Sequence, residues 1–362
     1  MGYLQERNKE KMVKVAIALP VPNQKIIGGY KVAYEYANYL EKNGLDVSVV
    51  YNAHNGENSK GIPKFIVLLI RWMIGVFGPK WFKLAEDIHK IVVSRFTDET
   101  FLNYDIVIAT AAETVEHVNK ANGIKVYFVQ GFEDWGRSKE AVLDTYRMDM
   151  KKITISKWLK EIIDNVSSTE AVYIPNGIDN NIFLEKIPYD KRGEHSLCTL
   201  FHWDERKGCD VALKIIYRLK ERYPDFEAFL FGAPKRENEW PKWIHYTEKA
   251  KPSEVADAMN HAKVFLCTSR QEGFGLTGLE SIFCGCVLVT TDCRGIREYA
   301  SQKSAYLCGV DQEQELFDAV CHAFDNEKES KLKRQNCVET ITQFDANKSK
   351  KRFYEEIINC LN

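Results

Sequence analysis

Cysteine is missing from the first 197 residues of this 362-residue chain, and all ten cysteines follow that point. They are scattered and include no Cys-x-x-Cys pair, which favours reduced, buried thiols in a cytoplasmic protein over a disulfide framework. The asymmetry indicates two separately composed halves. A chain of this length also exceeds what a single hydrophobic core usually supports.

Neither sign of charge is in excess, because the formal net charge is −1. Bulk charge therefore gives no reason to expect nucleic acid as a partner. His54, His89 and His117 lack the spacing of metal ligands, so no metal site is expected from them.

No apolar run is long enough to span a bilayer. The apolar segment at residues 62–82 is interrupted by Lys64, Arg71 and Lys80. Two interpretations stay open for this segment. It is either a buried or half-buried helix of the first domain, or an interfacial helix that contacts a membrane peripherally.

Short apolar strands alternate with helices along the chain. Strands are predicted at residues 13–19, 46–51, 104–109, 124–129, 153–156 and 171–174, and then at 197–201, 226–231, 264–267 and 287–290. This alternation is typical of parallel sheets covered by helices on both faces. Two such runs predict two doubly wound α/β domains, at residues 1–185 and 186–345, with a helix at 346–362 returning to the first domain. Ligands of such domains bind at the carboxyl ends of the strands.

Two carboxylates flank a glycine-rich bend in Glu272-Gly-Phe-Gly-Leu-Thr-Gly-Leu-Glu280. A strand precedes this segment and a helix follows it, so the amides of Gly275, Leu276 and Thr277 are expected at a helix N-terminus, where they form an anion site. Gly273 and Gly275 allow close approach of the backbone to a ligand. Paired acids repel a bare phosphate but accept hydrogen bonds from hydroxyls. The segment therefore suits a phosphate flanked by hydroxyl-bearing rings, as in a nucleotide sugar.

The same residues also contain the pattern G-x-G-x-x-G, from Gly273 to Gly278. This match leaves an NAD-type oxidoreductase or epimerase as an alternative. The match is weak because residues 269–272 separate the strand from the first glycine and because the motif lies late in the chain. A purely structural strand-turn-helix is a further alternative.

Over nearly its whole length the chain resembles the family-4 retaining glycosyltransferases of the GT-B fold, also called glycosyltransferase group 1. The motifs that carry the resemblance occur in the expected order: Gly28-Gly29, Ser156-Lys-Trp-Leu159, Pro175-Asn-Gly-Ile-Asp179, Arg206-Lys207-Gly208, Glu272 to Glu280, and Gly295-Ile-Arg-Glu298. The resemblance implies two Rossmann-like domains that face each other across a cleft. The first domain would lie on the acceptor side, and the second would bind the nucleotide-sugar donor.

The resemblance also implies roles for single residues. Arg206 and Lys207 would hold the donor diphosphate, where charge develops in the transition state. Glu272 would hold hydroxyls of the transferred sugar, and with the two cations it forms the predicted catalytic set. Glu280 would bind the ribose hydroxyls. The donor-binding set is Gly28, Gly29, Gly273, Phe274, Gly275, Leu276, Thr277 and Glu280.

The chain departs from the family pattern at two positions. His202 stands where many members have an arginine, which leaves Arg206 as the second cation, and Gln130 stands where many have a histidine. Gln130 cannot take a proton, so the departing phosphate is expected to accept the proton of the acceptor. Gln130 and Glu133 are acceptor-side candidates.

The implied activity is transfer of a sugar to a hydroxyl of a glycan or lipid-linked acceptor. No Asp-x-Asp pair occurs in the chain, so transfer without a metal or other cofactor is expected. A non-catalytic partner protein that keeps the fold is an alternative, although the intact charged residues count against it.

Overall fold

The computed structural model describes residues 12–54, 63–237 and 239–361. In the first domain the strands are β1 Lys14–Leu19, β2 Asp46–Asn52, β3 His89–Val93, β4 Ile106–Ala109, β5 Ile124–Val129, β6 Lys151–Thr154 and β7 Val172–Tyr173. The helices of this domain are α1 Gly28–Lys42, α2 Lys64–Phe77, α3 Ala112–Val118, α4 Lys139–Arg147 and α5 Lys157–Asp164.

In the second domain the strands are β8 Ser196–Phe201, β9 Glu227–Gly232, β10 Ile244–Glu248, β11 Val264–Cys267, β12 Val287–Thr291 and β13 Tyr306–Cys308. The helices that follow or connect them are α6 Cys209–Arg222, α7 Pro252–His261, α8 Leu276–Phe283, α9 Glu313–Asp325, α10 Glu327–Ile341 and α11 Ala346–Asn359.

Each set of strands forms one parallel sheet. The first has the order β3-β2-β1-β4-β5-β6-β7, and the second has the order β10-β9-β8-β11-β12-β13. Both orders run outward from a central pair, β1 with β4 and β8 with β11, which is the arrangement of doubly wound dinucleotide-binding folds. The central strands are fully apolar, as in Ile106–Ala109 and Val264–Cys267, because helices cover both faces of each sheet. The predicted α/β class and doubly wound sheets are confirmed.

The C-terminal helix α11 packs on α1 of the first domain. The rings of Phe353 and Tyr36 stack with centroids 4.1 Å apart, and Lys350 Nζ lies 3.5 Å from Glu35 Oε2. The chain reaches α11 by pairing with Ile178, whose amide donates to the carbonyl of Phe344 at 2.8 Å. The residue numbers of the domain boundaries stay predictions.

Three strands that the sequence analysis did not predict are β3, β10 and β13. All three lie at sheet edges. The segment 62–82, of which residue 62 lies outside the described residues, forms α2 and a following loop. Only Gly75 of α2 is fully buried, and Ile66, Val67 and Leu68 are half-buried, so the helix is the half-buried one that the first interpretation allowed. Within the described ranges, no helix has the combined length and apolar character needed to cross a membrane.

Candidate functional site

The predicted functional segments meet at the carboxyl ends of the central strands. Gly28 and Gly29 follow β1, Gln130 follows β5, Lys207 follows β8, and Glu272 follows β11. Since β8 and β11 are neighbours whose connections leave in opposite directions, Lys207 and Glu272 flank the switch point of the second sheet. Ligands of open parallel sheets bind at such switch points.

Lys207 and Glu272 form an ion pair at the centre of the site. Lys207 Nζ lies 2.8 Å from Glu272 Oε1, and the Ser269 hydroxyl donates to the same oxygen at 2.8 Å. Burial alone would lower the pKa of Lys207, but the charge and hydrogen bond of Glu272 outweigh it and raise that pKa. The lysine is therefore a cation at neutral pH.

Gly208 brings the two loops of this ion pair into contact. Its φ is +59°, and an added Cβ would lie 2.0 Å from the carbonyl oxygen of Thr268. Any side chain at this position would push the loop of Lys207 away from the loop of Glu272.

Arg206 is held beside the cleft by groups from both domains. Asp204 accepts from Nε and Nη2 of Arg206, and these bonds hold the pKa of Asp204 down, at about 2. The Arg206 guanidinium also lies 4.3 Å from the ring centroid of Trp135 in the first domain. The amide of Asp204 donates to Nδ1 of His202 at 2.9 Å, so His202 orients the loop that carries Arg206.

A cavity of about 160 Å³ lies between the domains. It is lined by Gln130, Trp135, Trp158, Arg206, Lys207 and Glu272, among others. The structure therefore brings together the whole predicted catalytic set and one acceptor-side candidate, Gln130.

The walls of this cavity are joined across the cleft. The Trp158 indole donates to the carbonyl of Gly273 at 3.0 Å, and Gln271 Nε2 donates to the carbonyl of Phe132 at 3.2 Å. An added Cβ at Gly273 would lie 2.2 Å from the carbonyl oxygen of Gln130. A glycine at residue 273 is thus required for the two domains to approach as closely as they do here.

The glycine-rich bend ends at the N-terminus of α8. Gly275 caps the helix with φ +84°, and the amides of Leu276 and Thr277 have no intrahelical acceptor. These amides lie where the sequence predicts the anion site, which stays a prediction. The side chain of Phe274 is buried against Tyr299 and Phe344, so this residue offers a ligand only its backbone.

Glu280 is buried on α8, outside the lining of the cavity. Its Oε1 lies 3.5 Å from Nζ of Lys31, which comes from the first turn of α1. Burial raises the pKa of Glu280, and Lys31 opposes that rise. The pair connects the two domains directly behind the glycine loop.

Glu133 also lies outside the cavity lining. Its Oε2 accepts from the amide of Ala112 at 2.7 Å, at the start of α3. Burial is the main reason that its pKa is raised to about 7, and the nearby Glu113 adds to the rise. The structure thus places Glu133 half-buried in the first domain, near Tyr30, whose pKa it helps to raise.

The sequence analysis missed Lys31, Trp135 and Trp158 as residues of the site. The sequence could have indicated Lys31. A cation in the first turn of a helix is unfavourable next to the helix dipole, so its presence there indicates an anionic partner. The tryptophans had none, since their positions depend on how the two domains meet.

A larger, shallow depression of about 500 Å³ lies beside Tyr104 and Asn122. It opens at the amino ends of β4 and β5, where parallel sheets do not bind ligands. Among the described residues, no group of three His, Cys, Asp or Glu side chains is arranged to hold a metal ion.

Residues 196–326 match the family model described as glycosyl transferases group 1. The resemblance to group 1 glycosyltransferases is confirmed. A human relative, one of the subunits of phosphatidylinositol N-acetylglucosaminyltransferase, is 26% identical over 144 residues, which are 37% of this chain and 30% of that protein. The match thus spans less than a third of the relative. Membership of family 4 and retention stay predictions.

Solved structures resemble nearly the whole chain in fold. Sucrose-phosphate synthase from Thermosynechococcus elongatus has a TM-score of 0.73 at 12% identity and covers 96% of this chain and 99% of its own. Anabaena HepE, in a complex with UDP and glucose, has a TM-score of 0.69 at 14% identity, over 96% and 100% of the two chains. The pneumococcal O-GlcNAc transferase GtfA, in a complex with UDP and GlcNAc, has a TM-score of 0.67 at 12% identity, over 97% and 99%. The predicted GT-B fold is confirmed.

Proposed function

We propose that the protein is a retaining glycosyltransferase, which moves a sugar from a nucleotide-sugar donor to a hydroxyl of a glycan or lipid-linked acceptor. The observation that carries the proposal is the Lys207–Glu272 ion pair beside the N-terminus of α8, at the switch point of the second sheet. A cation and helix amides suit a diphosphate, while a carboxylate suits sugar hydroxyls.

The comparisons support this choice of chemistry. The family model matches the domain that holds the proposed donor site, and HepE and GtfA have been solved with UDP and a sugar. We therefore propose a UDP-sugar as the first donor to test.

In the proposed reaction, the bond between the anomeric carbon and the donor phosphate breaks while the acceptor oxygen bonds to that carbon on the same face. The acceptor proton passes to an oxygen of the departing diphosphate. Lys207, Arg206 and the amides of Leu276 and Thr277 stabilise the charge that grows on the diphosphate, in the place of a metal ion. Glu272 orients the sugar through its hydroxyls.

Donor binding requires the domains to separate. The cavity of about 160 Å³ is smaller than the roughly 300–1,000 Å³ typical of small-molecule sites. The contacts that would open include hydrogen bonds such as Trp158 to Gly273 and Gln271 to Phe132. We propose that the donor enters an open form and that these contacts re-form around it.

A donor-hydrolysis screen across UDP-, GDP- and dTDP-sugars, in excess chelator, tests the proposal. We expect one donor class to be hydrolysed slowly without added metal. Nicotinamide-cofactor binding without hydrolysis would favour the oxidoreductase alternative. Nucleotide binding without turnover of any donor would favour a non-catalytic partner protein.

A further inference from the structure

Helix α2 exposes an unusual number of large apolar side chains. Six of the 17 that are exposed among the described residues belong to this 14-residue helix: Phe65, Leu69, Ile70, Trp72, Met73 and Phe77. Leu69 is 54% exposed and Phe77 is 81% exposed. An exposed apolar group of this kind marks an interaction surface.

These side chains lie on one face of the helix. Phe65, Leu69, Trp72, Met73 and Phe77 follow the i, i+4, i+7, i+8, i+12 spacing of a single helical stripe. The opposite face packs on β3, where an added Cβ at Gly75 would meet Val92 at 2.2 Å. The helix is thus apolar on both faces, and its outward face has no partner within the described part of the chain.

The charged side chains within α2 are all positive. The helix contains Lys64 and Arg71 and no carboxylate, and Lys80 and Lys90 lie near its C-terminal end. None of the three lysines pairs with a carboxylate within the ranges that the structure describes. An apolar stripe bordered by cations complements the surface of an anionic bilayer, which attracts each nearby lysine by about 1 kcal/mol.

The end of α2 is tied to the loop that leads into the candidate site. Gln24 Nε2 donates to the carbonyl of Gly78 at 3.2 Å, and the amide of Lys80 donates to Gln24 Oε1 at 2.9 Å. Gln24 lies four residues before Gly28 of the glycine loop. A surface that covers α2 would therefore lie next to the mouth of the cleft.

We propose that α2 lies in the surface of an anionic lipid bilayer, with the stripe buried among the acyl chains and Lys64, Lys80 and Lys90 at the headgroups. The helix is about 21 Å long, too short to span a hydrocarbon core of about 30 Å, and so it lies in the membrane plane. In this arrangement the bilayer presents a lipid-linked acceptor at the cleft. This consequence rests on the proposed function, which it deepens.

Co-sedimentation of the full chain with vesicles, in the absence of any sugar nucleotide, tests this proposal. We expect binding to vesicles of equal parts phosphatidylcholine and phosphatidylglycerol, and much weaker binding to phosphatidylcholine alone. Leu69→Gln should lower the partition coefficient about tenfold, or about 1.4 kcal/mol. Lys64→Gln should lower it about fivefold on the anionic vesicles only.

Leu332→Gln on α10 is the matched control, because Leu332 is a leucine with the same exposed fraction, 54%, in the other domain. Equal losses for the two leucine variants, or no vesicle binding by the unaltered chain, would overturn the proposal. So would a dimer in sedimentation equilibrium that Leu69→Gln dissociates, because a second copy would then cover α2. A lower melting temperature for Leu69→Gln than for Leu332→Gln would show that the chain itself covers the stripe.

Vesicle binding and donor hydrolysis test the two proposals separately. A chain that binds anionic vesicles but hydrolyses no sugar nucleotide would reject the proposed function and keep the membrane surface. A chain that hydrolyses a donor but ignores vesicles would do the opposite.

Discussion

Lys31 Nζ lies 3.5 Å from Glu280 Oε1 and joins the first helix of one domain to α8 of the other. Glu280 is buried, and burial raises its pKa, whereas the charge of Lys31 acts in the opposite direction. Lys31 therefore favours the ionised form of Glu280. That form accepts hydrogen bonds at both oxygens, as binding of a ribose diol requires.

Lys31→Gln should make UDP binding more sensitive to acid. Without the cation the pKa of Glu280 rises further, so its carboxylate is protonated at a higher pH and the affinity for UDP is lost earlier as the pH falls. Calorimetry across the neutral and mildly acidic range would measure this shift. The double variant Lys31→Gln/Glu280→Gln is the control and should lose the extra pH dependence. Parallel profiles for Lys31→Gln and the unaltered chain would contradict the assignment.

Substitutions of Glu272 and Glu280 should weaken the binding of different parts of the donor. Glu280→Gln should weaken binding of UDP itself, because ribose is present in that ligand. Glu272→Gln should leave UDP binding nearly unchanged and impair the intact UDP-sugar, by roughly 1.5–3 kcal/mol for a hydrogen bond to an ionised group. Calorimetry with both ligands on both variants separates the two roles. Equal losses for both ligands would mean that the two carboxylates only hold the loop.

Lys207→Ala should lower kcat more than it raises KM. Charge on the departing diphosphate grows in the transition state, so the cation acts there most strongly, and losing one such group costs on the order of 3 kcal/mol, roughly a hundredfold in rate. Arg206→Ala should have a smaller effect, because its guanidinium is already bound by Asp204 and Trp135. Lys214→Ala, on the exposed side of α6, is the control. An unchanged kcat with a raised KM would make Lys207 a ground-state anchor.

The strands that the sequence predicted and those that it did not predict differ in their place in the sheets. Central strands such as β4 and β11 are buried on both faces and therefore consist of apolar residues alone. The missed strands β3, β10 and β13 are edge strands: β3 begins with His89 and Lys90, β10 contains His245, and β13 has only three residues. A short or partly polar edge strand is defined by its one neighbour, which a local pattern does not encode.

The sequence predicted the site residues that directly follow a strand. It did not predict contacts that depend on how the side chains fold back or on how the two domains are placed. The Lys207–Glu272 pair joins two motifs that each lie at the end of a central strand. In contrast, Glu133 is turned away from the cavity because its carboxylate accepts from the amide of Ala112. The cation–π contact of Arg206 with Trp135 depends on the relative placement of two domains. Neither contact follows from local spacing.

Glu133→Gln should stabilise the protein at mildly alkaline pH and not at acidic pH. Burial raises the pKa of Glu133 from its ordinary value of 4.5 to about 7. Between these values the folded chain holds a proton that the unfolded chain has lost, so the free energy of unfolding falls as the pH rises, by at most about 3 kcal/mol. Glutamine stays neutral and keeps an acceptor for the amide of Ala112.

Urea unfolding at several pH values would measure this effect. Glu116→Gln, at an exposed position of α3, is the control and should follow the unaltered chain at every pH. The free energy of unfolding of Glu133→Gln could instead change with pH just as that of the unaltered chain does. The carboxyl group of Glu133 would then have to be ionised in the folded state at low pH.

Gly177→Ala should destabilise the fold by breaking the backbone pairing of residues 344–346 with Ile178, through which the chain returns to the first domain. An added Cβ at Gly177 would lie 2.4 Å from the backbone nitrogen of Ala346, and backbone atoms cannot turn aside as a flexible side chain would. The chain must then separate from Ile178, whose amide and carbonyl bond Phe344 and Ala346 at 2.8 and 3.1 Å. We expect a loss of about 1–3 kcal/mol in urea unfolding, as for other overpacked sites.

Gly193→Ala is the matched control for this substitution. The nearest atom to its added Cβ is Cβ of Ser196 at 3.5 Å, an ordinary contact, so its stability should be unchanged or raised by about 0.4–1 kcal/mol. Limited proteolysis should cut Gly177→Ala near Asp345 faster than Gly193→Ala, because the segment before α11 then loses its backbone pairing with Ile178. Equal stability of the two variants would show that the backbone pairing at Ile178 can shift without loss of stability, and that other contacts of α11, such as Phe353 on Tyr36, hold it to the first domain.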